Sequence, residues 1–137
     1  MKKFVVMMIA TFILAISLNL CSASIKDYYD NDPDYILMWA HQGSYSYLYV
    51  PSIDVQEYNP PHYQIGYDCV NFSENSVREI WRHSVKRFNW YTKESFHLEN
   101  GHWVVDNVNS PPGPAIRNRH AANVVFRATY NMDFYDY

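Results

Sequence analysis

Alternating aromatic and polar residues constrain the fold of this chain more than any other feature. Residues 62–72 alternate in character, and over residues 62–69 every second side chain is apolar, namely Tyr63, Ile65, Tyr67 and Cys69. A period of two is typical of a β-strand with one covered face, so this segment is predicted to be a half-buried strand. The same alternation in residues 45–50 predicts a second strand. The body of the chain is therefore predicted to be mainly antiparallel sheet.

The first hairpin is predicted between Tyr35–His41 and Tyr45–Val50, because Gln42-Gly43-Ser44 between them is a turn signal. Pro51 follows the second of these strands. Since proline cannot donate a backbone hydrogen bond, we expect it to interrupt the strand and to leave Ser52–Tyr58 as a short edge segment.

A second hairpin is marked by Asn100-Gly101, which lies between Phe96–Glu99 and His102–Val105. Asn-Gly between strand-like segments is the strongest short-range hairpin signal, and a two-residue turn places Glu99 opposite His102. The preceding stretch, Val77–Tyr91, fits either a helix or a strand. We favour a strand, because the hairpin that follows needs a neighbour in the sheet.

One helix is predicted, over Ala115–Met132. Apolar side chains recur there at helical spacing, forming a stripe that can pack on a sheet: Ala121, Val124, Val125, Ala128 and Met132. Pro114 lies just before the first turn, where a missing N–H is tolerated. The predicted fold class is therefore α+β, a twisted antiparallel sheet of hairpins with one C-terminal α-helix packed on it.

The first 23 residues are predicted to be a secretory signal peptide. Lys2 and Lys3 precede the uncharged run Phe4–Leu18, and small residues allow cleavage after Ala23. The run is too short to span a bilayer, and no second hydrophobic stretch follows. Lipidation at Cys21 is a less favoured alternative, because a bulky leucine precedes this residue.

Cleavage at this position sets the predicted domain organisation and location. Residues 24–34 are polar and acidic, and we expect a disordered lead-in there. Residues 35–137 are expected to form a single α+β domain. The mature protein is expected to be secreted and to reside in the periplasm or at the cell surface.

The charge of the mature chain argues against several partner classes. Two of the eleven Lys and Arg side chains lie in the signal peptide, so nine remain against fourteen Asp and Glu, a net charge of −5. Nucleic acids and anionic lipids require a basic surface, so neither is an expected partner.

Cys69 is the only cysteine left after cleavage, and it cannot form an internal disulfide. Its place on the apolar side of its strand favours a buried, inert thiol. The alternative is an intermolecular thiol, which would make the chain a homodimer.

No catalytic or cofactor motif is recognisable in the sequence. There is no nucleophile elbow and no Gly-rich phosphate loop, and the hairpin register places His97 and His102 diagonally or on opposite faces, which disfavours a metal pair. We therefore expect a protein that is not an enzyme and that needs no cofactor or metal.

The aromatic residues supply the one candidate binding surface. Tyr45, Tyr47 and Tyr49 share one face of their strand. They could stack a sugar or pack against a partner strand, or they could instead form the core side covered by the helix. The partner would be a protein or a carbohydrate.

Several segments together resemble a known group of proteins. They are a first strand with Trp39, the step Ser52-Ile53, the strand residues Arg87–Tyr91, a strand with Trp103, and a helix reading Ala121–Phe126. This pattern resembles small secreted bacterial proteins and is distantly similar to the surface-adhesin protein E family. The resemblance implies a twisted sheet with the C-terminal helix packed across it, and a binding role in the periplasm or at the surface.

The leading functional hypothesis is thus an exported, non-enzymatic, adhesin-like binding module. One alternative is a small secreted hydrolase, which would need a pocket with a histidine and an acid within hydrogen-bond reach. The other alternative is a periplasmic inhibitor or partner protein that binds through an exposed strand edge.

Overall fold

A computed structural model of the protein describes residues 29–109 and 112–136, and every structural statement below refers to these residues. The signal peptide predicted over residues 1–23 lies outside them. Six strands form one antiparallel sheet in chain order, and one long helix follows. The elements are β1 Tyr35–His41, β2 Ser44–Asn59, β3 His62–Ser73, β4 Ser76–Asn89, β5 Glu94–Glu99, β6 His102–Val105 and α1 Pro112–Tyr130. The predicted fold class, α+β with a helix on an antiparallel sheet, is confirmed.

Two tight turns close the hairpins that the sequence predicted. Gln42 and Gly43 between β1 and β2 have φ angles of 48° and 73°, and Asn100 and Gly101 between β5 and β6 have φ angles of 50° and 80°. Two successive positive φ angles define the turn whose twist matches that of a hairpin. Glu99 lies opposite His102, as the two-residue turn requires.

Pro51 does not interrupt β2, so the predicted break before Ser52–Tyr58 is wrong. The register instead slips between the pairs Tyr49–Asp68 and Asp54–Gly66, where β2 has more residues than β3. The Ser52 hydroxyl lies inside this bulge. It donates to the Tyr49 carbonyl at 2.6 Å and accepts from the Asp68 N–H at 2.7 Å. Pro51 has no N–H to donate, and the bulge leaves backbone groups without a partner on β3. The Ser52 hydroxyl bonds to two backbone groups in this region, so the strand continues past Pro51.

β4 is a strand over its whole length, as favoured from the sequence. One edge of β4 pairs with β3 from Ser76 to Asn89. On the other side, only Lys86–Asn89 pair with β5. Among the described residues, the outer edge of residues 76–85 therefore has no partner strand.

The main core lies between the sheet and α1. Phe126 is 1% exposed, and its ring lies between 4.8 and 5.6 Å from five other rings: Tyr63, Phe88, Trp90, Tyr130 and Phe134. Aromatic pairs at such distances add to the stabilisation from burial. Leu48 and Ile65, both fully buried, belong to the same core.

The helix begins three residues before the predicted start and ends two residues before the predicted end. Asn131 has a φ of 58° and donates its N–H to the Arg127 carbonyl, which is the left-handed ending typical of helices. Met132 lies beyond this cap and is half exposed, so its predicted place in the apolar stripe is wrong. The buried stripe includes Ala122 and Phe126 instead.

The C-terminal tail is fixed to α1 by one buried amide. Asn123 is 1% exposed; its Oδ1 accepts the N–H groups of Phe134 and Tyr135 at 3.1 and 2.7 Å, and its Nδ2 donates to the Tyr135 carbonyl at 2.9 Å. Lys93 Nζ donates to the Phe134 carbonyl at 3.0 Å and lies 3.3 Å from the centre of the Trp90 ring. The tail is therefore part of the core.

A second, smaller core covers part of the other face of the sheet. Tyr29 is 2% exposed and packs on Tyr47 and Phe72 at ring distances of 5.4 and 5.6 Å. The Tyr47 hydroxyl donates to Asp30 Oδ1 at 2.6 Å. Residues 29–34, which belong to the segment predicted to be a disordered lead-in, are thus anchored to the sheet by the buried Tyr29 ring.

Candidate functional site

The face of the sheet opposite α1 is called the open face from here on. Strand alternation places Tyr47, Val70 and Trp81 on it in one row across β2, β3 and β4. The next row towards the centre of the sheet is Tyr49, Asp68 and His83. The interpretation of the tyrosine row as the side covered by the helix is therefore wrong, since α1 covers the face that carries Leu48.

The three tyrosines of the predicted binding surface differ in accessibility. Tyr47 is 1% exposed beneath Tyr29, so it is a core residue. Tyr45 is half-buried and donates to Glu74 Oε1 at 2.7 Å. Tyr49 packs against Tyr35 and Trp81 at ring distances of 5.1 and 5.7 Å. The accessible aromatic surface here is therefore the edge of a packed cluster.

A cleft of about 430 Å³ lies at the other end of the open face, and it is called the Arg87 cleft from here on. Its walls come from β2, β3, β4, β5 and β6, so residues distant in sequence meet there. The residues that line it are Glu57, His62, Tyr63, Arg87, Phe88, Asn89, Phe96 and Trp103. Its volume is in the range typical of small-molecule sites.

Arg87 is held in place on two sides. Its guanidinium carbon lies 4.0 Å from the centre of the Trp103 ring, a cation–π contact. Its Nε donates to Gln64 Oε1 at 2.6 Å, and Gln64 Nε2 donates in turn to Gln56 Oε1 at 2.6 Å. This chain of side chains holds the guanidinium group against the indole.

Gly66 makes room for the glutamine that ends this chain. A Cβ atom at this position would lie 2.5 Å from Gln56 Nε2, closer than any real contact. The bare backbone of β3 therefore lets the Gln56 side chain cross the sheet to reach Gln64. The sequence showed Gly66 only as an isolated glycine within an alternating strand.

A second cleft, of about 460 Å³, lies between β1 and the start of α1. Met38, Trp39 and Ile116 give it a mainly apolar lining, and Arg117 lies 5.7 Å from the Trp39 ring. It offers fewer hydrogen-bonding side chains than the Arg87 cleft.

A buried ionic cluster lies on the helix side of β4, β5 and β6, and Asp106 is at its centre. Asp106 Oδ2 is 2.5 Å from Lys86 Nζ and also accepts the Ser95 hydroxyl, while Oδ1 is 2.8 Å from His97 Nδ1. The Tyr135 hydroxyl donates to Ser95 Oγ at 3.0 Å and so connects the tail to the cluster. Lys86 and Asp106 are 6% and 5% exposed.

The charge of Asp106 is set by two opposing effects. Burial raises the pKa of this carboxyl, but the Lys86 ammonium, together with hydrogen bonds from Lys86, Ser95 and His97, lowers it more. The net result is a pKa below the ordinary value, so Asp106 is ionised at neutral pH. Sequence reasoning missed this cluster, because a single Lys and a single Asp twenty residues apart carry no local pattern.

The cluster does not have the geometry of a nucleophilic site. Ser95 and His97 both bond to Asp106, and the Ser95 hydroxyl donates to the carboxylate, whereas a serine nucleophile needs the histidine as its base. Ser95 is also 0% exposed. A second histidine–acid pair, His83 Nδ1 with Asp68 Oδ1 at 2.8 Å, lies on the open face with half-exposed side chains. Neither pair lines either of these two clefts.

Cys69 is buried, with 7% exposure, on the helix side of β3. Its sulfur is 3.9 Å from the Asn71 side-chain nitrogen. The sequence predicted this apolar position, and it makes the intermolecular-thiol alternative the less favoured one. A homodimer through this thiol would require the strand to open.

No group of three or more His, Cys, Asp or Glu side chains is placed to hold a metal ion within residues 29–109 and 112–136. Over the same ranges, no helix is long and apolar enough to cross a membrane.

Comparison of the chain with family models, with curated proteins and with solved structures gave no match. The resemblance to the protein E family therefore stays a hypothesis, and the geometry of the clefts and edges carries the functional argument.

Proposed function

We propose that this protein is exported and acts as a non-enzymatic binding module whose ligand is a carbohydrate held in the Arg87 cleft. The observation that carries the proposal is the composition of this cleft. From the open face, the aromatic side chains Phe96 and Trp103 line it together with ionic and amide groups from Glu57, Arg87 and Asn89, while Tyr63 and Phe88 belong to the core beneath it.

A sugar ring has apolar C–H faces and a rim of hydroxyl groups, so it needs both kinds of wall. Aromatic rings offer a flat apolar surface at low entropic cost. A guanidinium, a carboxylate and an amide can each make two hydrogen bonds in one plane, which suits neighbouring hydroxyls. Because Arg87 is already fixed by Trp103 and Gln64, binding would not have to order it.

The proposed export depends on the first 23 residues. Lys2 and Lys3, the uncharged run Phe4–Leu18 and the small residue Ala23 have the order of parts of a signal peptide. The intact mass of the protein from its native host tests this proposal. A chain that starts at Ser24 would support it, and a chain that retains residues 1–23 would contradict it.

Carbohydrate binding is tested by titrating the purified chain against a panel of immobilised glycans, with uronic acids and neutral hexoses as separate arms. We expect saturable binding to at least one of these two classes. Absence of saturable binding across the panel would refute the proposal. Preference for the uronic acids would indicate that Arg87 binds a carboxylate.

The site of binding is tested by two variants and a matched control. Trp103→Ala removes the indole and the support of Arg87, and we expect affinity to fall at least about 10-fold, as is usual for a central aromatic anchor. Trp103→Phe keeps a ring and should retain most of the affinity. Tyr91→Ala is the control, since Tyr91 is an aromatic residue with 85% exposure that does not line the cleft. Equal losses in Tyr91→Ala and Trp103→Ala would contradict the assignment.

The secreted-hydrolase alternative has less support. It requires a pocket with a histidine and an acid in contact, and the His83–Asp68 and His97–Asp106 pairs lie outside both clefts. Glu57 and His62 both line the Arg87 cleft, but among the described residues no hydrogen bond or ion pair joins these two side chains. Release of reducing sugar from any panel glycan would favour the hydrolase and would contradict the non-enzymatic part of the proposal.

A further inference from the structure

The outer edge of β4 is a second surface that needs an explanation. Among the described residues no strand pairs with it along residues 76–85, while β5 covers Lys86–Asn89. Ile80 and Trp81, in the middle of this stretch, are each 47% exposed. A long bare edge presents unpaired backbone N–H and C=O groups, and native proteins usually protect such an edge with charged side chains, proline, a bulge or a covering segment. This stretch contains no proline, and its charged side chains, Arg78, Glu79 and Arg82, flank the exposed apolar pair Ile80 and Trp81.

We infer that two copies of this chain pair antiparallel along this edge of β4, with Trp81 of each copy at the two-fold axis. The occupant is a second copy because the order of charged side chains along the edge is self-complementary in one register, as the next paragraph shows. The inference is independent of ligand binding in the Arg87 cleft.

Symmetry restricts the registers that are available. A two-fold axis perpendicular to the sheet keeps the open faces of both copies on one side, so only residues of the same face can lie opposite each other. An axis at Ile80 places Arg78 of one copy opposite Arg82 of the other, and axes at Glu79 and Arg82 each oppose two identical charges. An axis at His83 would place the second copy opposite Lys86, whose edge β5 already covers. Like charges directly opposite each other destabilise a strand pair.

The axis at Trp81 avoids these conflicts. It places Glu79 of each copy opposite His83 of the other, and it pairs the two Trp81 rings. His83 Nδ1 is already 2.8 Å from Asp68, so its Nε2 is the nitrogen that can meet a second carboxylate. The pairing would cover the exposed surface of Ile80 and Trp81 and would continue the sheet from one copy to the other.

The oligomeric state tests the inference. In sedimentation velocity of the full chain, we expect a concentration-dependent monomer–dimer equilibrium. Trp81→Lys, which opposes two ammonium groups at the axis, should weaken the dimer at least about 10-fold. Ile116→Lys is the control, because Ile116 is 65% exposed on α1 and should leave the dimer unchanged.

A disulfide scan tests the register. Directly opposed strand residues have Cα atoms within the range that a disulfide needs. Trp81→Cys should therefore give a covalent dimer on mild oxidation, while Ile80→Cys should not, because Ile80 would face Arg82. A chain that stays monomeric, a dimer that survives Trp81→Lys, assemblies larger than a dimer, or cross-linking of Ile80→Cys alone would each overturn the inference.

Discussion

Removing Asp106 should destabilise this fold more than removing any exposed acid. Asp106→Ala leaves the Lys86 ammonium, whose side chain is 8% exposed, without its counter-ion at 2.5 Å. It also leaves the Ser95 hydroxyl and His97 Nδ1 without their acceptor. Breaking a buried ion pair on one side costs about 3–5 kcal/mol. That is a large part of the roughly 5–15 kcal/mol that stabilises a typical domain.

The loss is measured by urea unfolding followed by tryptophan fluorescence and circular dichroism. The midpoint should fall with the slope unchanged, and the melting temperature should fall by about 4–8 °C for each kcal/mol. Asp133→Ala is the matched control, since Asp133 forms an ion pair with Arg127 at 2.5 Å in which both side chains are at least one-third exposed. Exposed pairs contribute only about 0.2–1 kcal/mol.

A double variant separates the effect of the unpaired charge from the effect of the lost side-chain volume. Lys86→Met with Asp106→Leu removes both charges and keeps apolar volume. It should recover the part of the loss that comes from the unpaired Lys86 ammonium, while Ser95 and His97 still lack their acceptor. A loss in Asp106→Ala no larger than in Asp133→Ala would refute the reasoning, and so would a double variant that is less stable than Asp106→Ala.

The same carboxyl predicts the direction of acid sensitivity. Its pKa in the folded protein lies below the ordinary value of 3.8, so its ionised form stabilises the fold at every pH above that value. This contribution is lost as the pH falls below about 4 and through the folded pKa. Stability measured from pH 6 to pH 2 should therefore fall less steeply in the double variant than in the wild-type chain. Parallel curves would contradict this assignment.

Three further predictions concern other parts of the fold. Asn123→Ala should lower the free energy of unfolding by about 2–3 kcal/mol in urea titration, because the N–H groups of Phe134 and Tyr135 lose their acceptor in the core. Asn75→Ala, at an exposed position in the turn between β3 and β4, should cost less. Tyr29→Ala should lower the free energy of unfolding by about 3 kcal/mol and raise the proteolysis rate of the N-terminal segment, because a buried ring is removed. An unchanged urea midpoint would show that residues 29–34 do not anchor to the sheet. The Cys69 thiol should react with a thiol reagent only after denaturation, and rapid reaction in the native chain would contradict its burial.

Much of the sheet could be predicted from the sequence, because period-two alternation and turn chemistry are local signals. Asn100-Gly101 specified its hairpin and register, and the alternation in residues 62–72 gave the buried side of β3. Pro51 misled the prediction, since the bulge that accommodates it depends on the Ser52 hydroxyl reaching a neighbouring strand. That contact is long-range and leaves no local pattern.

The candidate site was mostly beyond sequence reasoning. The tyrosine alternation in β2 was recognised from the sequence. No local pattern indicates which face of the sheet α1 covers, and Tyr29, which packs on Tyr47, lies in a segment predicted to be disordered. Arg87 and Trp103 were noted only as parts of a resemblance. They meet because β4, β5 and β6 are adjacent in the sheet. A contact of this kind depends on which strands are neighbours, and no fixed spacing along the sequence predicts it.

The central claim, that the Arg87 cleft holds a carbohydrate, is tested most directly by the indole resonances of the ¹⁵N-labelled protein. The chain has four tryptophans, so each indole N–H gives a countable signal. A glycan that binds in the panel is titrated at constant protein concentration, and assignments come from single Trp→Phe variants. The account predicts a saturable shift that is largest for Trp103, with the signals of Trp39, Trp81 and Trp90 changed much less. A Trp103 signal that stays fixed while another indole shifts, or no saturable shift at all, would contradict it.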